Sequence, residues 1–134
     1  MIAEEIFNMT MAMIDEMTAT GLDEQTIADY KKKAPYILTM LQNELVGIEN
    51  RFRSKKEQIY PIAIEDLDQT IELDSIKAST LLTNGLAANL MLHEDTALAN
   101  YFEQRYVEMK GMFLKSAARK PEKREDVYDA SLNY

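Results

Sequence analysis

A single histidine, His93, stands beside two carboxylates, Glu94 and Asp95. Acid–base or metal chemistry needs such groups converging from one face. Residues one and two apart on a helix point in different directions, so this triplet is not a ligand set. The chain contains no H-E-x-x-H or E-x-x-H spacing, the pattern that bundle metal sites and zinc proteases require. A second acidic group, Glu65, Asp66 and Asp68, lacks the ligand spacing and the glycine of a calcium loop. Absence of cysteine removes thiol nucleophiles, Cys-based zinc sites and disulfides. Neither a phosphate-binding glycine loop nor a G-x-S-x-G elbow occurs. These polar groups therefore read as structural: Asp95 or Thr96 as a helix N-cap, and 65–68 as a solvated turn. The expected protein is not an enzyme and carries no cofactor or metal.

The net charge is −8, and it is unevenly placed. The first thirty residues hold seven acids and no lysine or arginine. Residues 31–60 hold seven bases against three acids. The bases form two clusters, Lys31-Lys32-Lys33 and Arg51, Arg53, Lys55, Lys56. Neither cluster alternates with a series of aromatics that would stack bases, which favours a solvated face over a nucleic-acid contact. Blocks of opposite sign can set partner orientation in an assembly. An acidic chain is a poor match for a broad phosphate-gripping surface.

The elements that would carry these groups are helices. Only four glycines and three prolines occur in 134 residues, too few for a many-turned β protein. Ile2, Ile6, Met9, Met13 and Met17, widened by Phe7 and Ile14, predict a first helix stopped near Gly21. Asp23 is placed to cap a second. There Ile27, Tyr30, Ala34, Ile37, Leu38, Leu41, Leu45, Ile48 and Phe52 keep helical spacing through Pro35, which predicts one helix with a bend. From about 53 to 73 the period fails. Ile59 to Ile64 reads as extended and confined by Pro61, then a turn with one buried leucine, Leu67. This central loop is expected either to be functional or to pack on a neighbouring subunit. Asp74 caps a third helix reaching about Leu92. The fourth, from about Thr96 to Ala118, carries Leu98, Phe102, Tyr106, Met109 and Phe113. Gly85 and Gly111 inside these helices suggest close packing. Residues 119–134 read as a flexible C-terminal tail. The fold class is thus all-α: a bundle of about four helices over 1–118, with a long central loop. The start MIAEEIFN lacks a basic secretory signal, and no apolar run approaches the ~18 residues of a membrane span, so an intracellular protein without membrane contact is expected.

Two regions also carry a resemblance. One is Asp74 to Tyr106, with Gly85-Leu86-Ala87-Ala88 and an apolar run, then Glu94-Asp95, Leu98-Ala99, Phe102 and Tyr106. The other is Tyr30-x3-Ala34-Pro35-x-Ile37-Leu38-x2-Leu41-x3-Leu45, and the acidic turn Ile64 to Leu73 fits as well. In these features the chain resembles the head–tail connector (adaptor, neck) proteins of tailed phages and prophages. The resemblance implies a helical structural subunit that joins, through heterologous contacts, a ring of about a dozen copies. That ring would sit on the portal protein, extend the DNA channel and present a platform to a neck or tail-completion protein. Genomic DNA would pass through without tight specific binding. Such a protein would reside in the host cytoplasm during assembly and in the virion neck afterwards. Candidate subunit or portal contacts are Lys31, Lys32, Lys33, Arg51, Arg53, Tyr128, Leu132 and Tyr134. The alternative from the residues alone is a small helical protein-binding or regulatory module.

Overall fold

The structure, a computed structural model, describes residues 1–118. The tail positions Tyr128, Leu132 and Tyr134 lie outside the described residues. Within them the protein is an all-α bundle of four helices with no β-strand, in which Ile2 and Thr70 form one isolated antiparallel bridge.

Helix α1 spans Ala3–Met17. The Glu5 carboxylate accepts the backbone N–H of Ile2 at 3.2 Å. Together with Glu4 it also puts negative charge in the first turn, where the helix dipole favours it. Its buried face is Ala3, Ile6, Phe7, Thr10, Met11 and Ile14. This corrects the methionine stripe expected from the sequence. Met9 and Met17 are exposed and Met13 is half-buried, while Thr10 is fully buried. Thr10 enters the core because its hydroxyl donates to the Ile6 carbonyl at 2.8 Å, which leaves only its methyl to pack. Gly21, at φ +73°, turns the chain after the helix, and the Asp15 carboxylate accepts the Leu22 N–H there.

Helix α2, Glu24–Asn50, is a single helix through Pro35. Asp23 caps it by accepting the Thr26 N–H at 2.7 Å. That bond holds the Asp23 carboxyl below its usual value. Proline removes the bond to the Lys31 carbonyl, but this turn is exposed and water can satisfy the group. The apolar stripe Tyr30, Ala34, Leu38, Leu41, Leu45 and Ile48 is buried as its spacing requires.

The third helix, α3, is composite. Asp74 accepts the Lys77 N–H to start it. Ser75–Lys77 is α-helical, Ala78–Leu82 widens to a π-turn, and Thr83–Met91 returns to α geometry. Side chains satisfy carbonyls around the wide turn: Thr80 and Ser79 donate to Ile76, Thr83 to Ser79, and Asn84 to Thr80. This rod is the centre of the bundle, touching α1, α2 and the last helix, α4, which spans Thr96–Ala118. From Thr83 to Ala88 every residue is buried, as a helix enclosed on all sides must be.

Gly85 marks the tightest crossing. A Cβ there would lie 2.9 Å from Leu41 Cδ1 and 3.2 Å from Tyr106 Cδ1. Gly111 does not share this role, contrary to the sequence expectation; nothing stands within 4 Å of its Cβ position, and the same holds at Gly47 in α2. Helical glycines in open space only add unfolded-state freedom. Gly47→Ala and Gly111→Ala should each therefore stabilise by about 0.5–1 kcal/mol. Gly85→Ala should cost about 1–3 kcal/mol, because two core side chains must shift. Urea midpoints of the three variants check the opposite signs.

Candidate interaction surfaces and the loop clasp

His93 is exposed in the short connection between α3 and α4. Asp95 is the N-cap, accepting the Leu98 N–H at 3.1 Å. The Glu94 carboxylate accepts the hydroxyl of Tyr30 from the first turns of α2. Glu94 and Asp95 thus serve separate contacts, and His93 is not drawn toward either. Among the described residues no group of three or more His, Asp or Glu side chains is placed to hold a metal ion. Nor is any helix long and apolar enough to cross a membrane.

The acidic turn is stapled from within. Asp66 accepts the Asp68 N–H, and the Gln69 side chain bridges Glu65 N–H and the Ala63 carbonyl. Leu67 is buried, as expected, and the carboxylates face solvent. They form one wall of a cleft of about 930 Å³. Lys31, Lys32, Pro35, Tyr36 and Thr39 of α2 line it too, as does Glu4, whose N–H donates to the Leu67 carbonyl of the turn. Lys31, Lys32 and Lys33 are all exposed, and Lys31 approaches Glu4 only to 4.0 Å, a pairing that contributes little at the surface. So the first basic cluster remains available for a partner.

The second basic cluster is divided. Arg51 is exposed at the C-cap of α2. Arg53 instead ties down the central loop. Its Nε donates to Glu49 Oε2 at 2.6 Å, and its other nitrogens donate to the carbonyls of Glu57 and Glu72 at 3.1 and 2.8 Å. Glu49 is only 2% exposed. Its other oxygen accepts the Asp74 N–H at 3.2 Å and lies 3.4 Å from Lys77 Nζ. The Lys77 ammonium, also buried, sits 4.0 Å from the centroid of the Phe52 ring and 3.9 Å from Asp74. Burial pushes the Glu49 carboxyl up. The Arg53 hydrogen bond, the Asp74 N–H and the charges of Lys77 and Arg53 together outweigh it and hold the group below the usual carboxylate range.

This clasp is one rung of a longer ladder. Along α2, Thr39 Oγ1 accepts the Ile64 N–H, Asn43 that of Ile62, and Gln42 that of Glu72. Asn50 both accepts from and donates to the backbone of Ile59, at 2.8 and 2.9 Å. Beyond α2, the loop also bonds the start of α1 through Leu67, Gln69 and Ile71. Ile59, Ile64, Leu67, Ile71 and Leu73 are buried in the common core. Over these residues the long loop is therefore part of the bundle's own interior. The polar residues of α2 carry the spacing of one helix face. Without knowing what covers that face, the pattern reads as solvent-exposed, so Glu49 and its partners stay hidden in the sequence.

What the fold leaves uncovered is a set of large apolar side chains: Tyr36, Met40 and Tyr60, with Ile76, Leu92, Val107 and Met112, are all more than half exposed. On α4, Tyr106 is buried and donates to Glu44. Burial and the Glu44 charge raise its hydroxyl far above the ordinary tyrosine value, so it stays protonated. No protein-family model, curated protein or solved structure matches this chain.

A carboxylate held below its unfolded value stabilises the fold at neutral pH, and that contribution is lost as pH falls through the folded value. Glu49→Gln should therefore flatten the acid limb of the stability profile below about pH 4.5, the range where free carboxylates titrate. At pH 7 it should cost about 2–4 kcal/mol, because buried Lys77 is left with only Asp74, 3.9 Å away, as a carboxylate neighbour. Adding Lys77→Met should recover a large part of that loss. Thermal melts between pH 3 and 8 on the three proteins measure both effects.

Proposed function

We propose that this protein is a structural subunit of a phage or prophage head–tail connector. In this reading copies form a ring on the portal protein, prolong the DNA channel, and offer a platform to the next neck or tail-completion protein. No reaction is catalysed, and the ring assembles in the host cytoplasm before residing in the virion neck. The sequence resemblance supplies the class. The observation that carries it to the molecule is the sorting of charge on a tied-down helical body. Lys31, Lys32 and Lys33 project from α2 unused by the fold, whereas the acids of α1 project without a lysine or arginine among them. A heterologous ring needs two such unlike patches on every copy. A net charge of −8 also suits a conduit that must not hold phosphates.

A second reading, a small helical protein-binding or regulatory module, has one observation in its favour. Thr80, Met109, Met112, Phe113 and Ser116 line an apolar depression of about 380 Å³, a size that takes a few side chains of a peptide.

Portal capture separates the two. The connector reading expects the purified chain to be retained by a portal ring from the same genome. Reversing Lys31, Lys32 and Lys33 to glutamate should cut retained copies by about tenfold or more, since like charges would then face each other. The far-UV spectrum and melting temperature should stay close to those of the parent, because all three side chains are exposed and only Lys31 has an ion pair, at 4.0 Å. Retention unaffected by the reversal would remove the lysines from the interface, and no retention at all would remove the connector reading.

A further inference from the structure

The outer face of α1 runs through Glu5, Asn8, Met9, Ala12 and Glu16, all exposed. These positions recur at three and four residues, so they form one stripe, acidic at both ends and apolar in the middle. Ala12 at its centre leaves a shallow seat between larger neighbours. The outer face of α2 runs through Lys32, Lys33, Tyr36 and Met40, also exposed. It is basic, then apolar, and is bounded by Asp29, which accepts from Gln25, and by Glu44, which pairs with Lys110; Tyr36 is 80% accessible. Apart from Glu5, whose carboxylate accepts the Ile2 N–H, both stripes stay exposed. The two match in spacing, carry charges of opposite sign, and set a large ring against a small residue.

We propose that the α1 stripe of one copy packs on the α2 stripe of the next, with Met9 and Ala12 against Tyr36 and Met40 and an α1 glutamate against Lys32 and Lys33. This rests on the ring reading above and names its subunit contact. Unlike stripes meeting head to tail give a heterologous contact, which propagates around a ring rather than stopping at a dimer. A single helix pair buries less than the roughly 800 Å² per partner of a stable interface. Association in free solution is therefore weak and becomes strong once a template gathers the copies.

The chain has no cysteine of its own, so introduced thiols report without background. Met9→Cys and Met40→Cys replace exposed side chains. When the two single variants are mixed at millimolar concentration under mild oxidation, a 9–40 heterodimer is expected to exceed either homodimer. A chain carrying both changes should give a ladder of oligomers. Lys32→Glu with Lys33→Glu should reduce the 9–40 product about tenfold, and Glu16→Lys in the partner chain, which spares the Glu5 bond at the start of α1, should restore it to within about twofold. Homodimers alone, or no 9–40 product at millimolar concentration, would overturn the proposed contact. So would a charge swap that fails to rescue. The connector reading fails separately: a chain that forms the 9–40 link but is ignored by the portal keeps the contact and loses that function. A portal-bound ring without the link does the reverse.

Discussion

The backbone between residues 58 and 74 has no sheet to belong to, yet it runs through the interior and buries five aliphatic side chains. Each N–H and carbonyl removed from water there must find a partner or cost about 1–3 kcal/mol. Helix α2 supplies those partners from its side chains. Thr39, Gln42, Asn43, Glu49, Asn50 and Arg53 meet the loop at 57, 59, 62, 64, 72 and 74. Asn50 does with one amide what a neighbouring strand would do with two peptide groups. The ladder ends in a buried carboxylate between two cations, where removing any one member would strand the others. One donor on the ladder, Gln42 Nε2, is buried with no hydrogen-bond partner among the described residues.

This strapping determines what the rest of the bundle must do. With the loop filling the space beside α2, α3 is enclosed by α1, α2 and α4 together. Gly85 lets it approach Leu41 and Tyr106 closely. The wide turn at Ala78–Leu82 falls between the clasp residue Lys77 and the enclosed segment. It shifts the phase of the helix, so that Lys77 turns toward Glu49 while Leu81, Leu82 and Leu86 all reach the core. The hydroxyls of Ser79, Thr80 and Thr83 meet the carbonyls displaced by the extra residue, which is why this apolar helix carries them.

The helices were legible because their apolar spacing is dense. In α2 the centre of the expected stripe is inside, while Ile27, Ile37 and Phe52 are only half-buried; Asp23, Asp74 and Asp95 cap as short acidic side chains do. Legibility failed wherever a polar residue took an interior place. Thr10 is fully buried and Met9 is not, because a hydroxyl bonded to its own helix hides its polarity while hydrophobic patterning sees only the residue type. For the same reason Glu49 and Lys77 could not be picked out: their burial depends on each other and on a loop that returns from over twenty residues away. Gly85 and Gly111 look alike in sequence and differ only in what stands opposite. The candidate surface was readable as charge blocks, but which bases were free was not. Arg53 and Lys33 belong to one basic run of the chain, and only tertiary contacts send the first inward.

That division bears on how such a subunit meets others. A loop that hung free would have to be ordered on binding, at a cost of roughly 1–2 kcal/mol per residue in backbone entropy. Here the loop is ordered already by its own subunit, and the exposed groups sit on helices whose opposite faces are locked into the core. A contact made by Lys32, Lys33, Tyr36 and Met40 fixes a few side chains and little backbone. Association between such faces loses little conformational entropy, so a small area can suffice where many copies are held side by side. The buried charges beneath α2 hold the helix and loop as a single body, and the exposed charges along it are thereby kept at fixed spacing, as the proposed contact between copies requires.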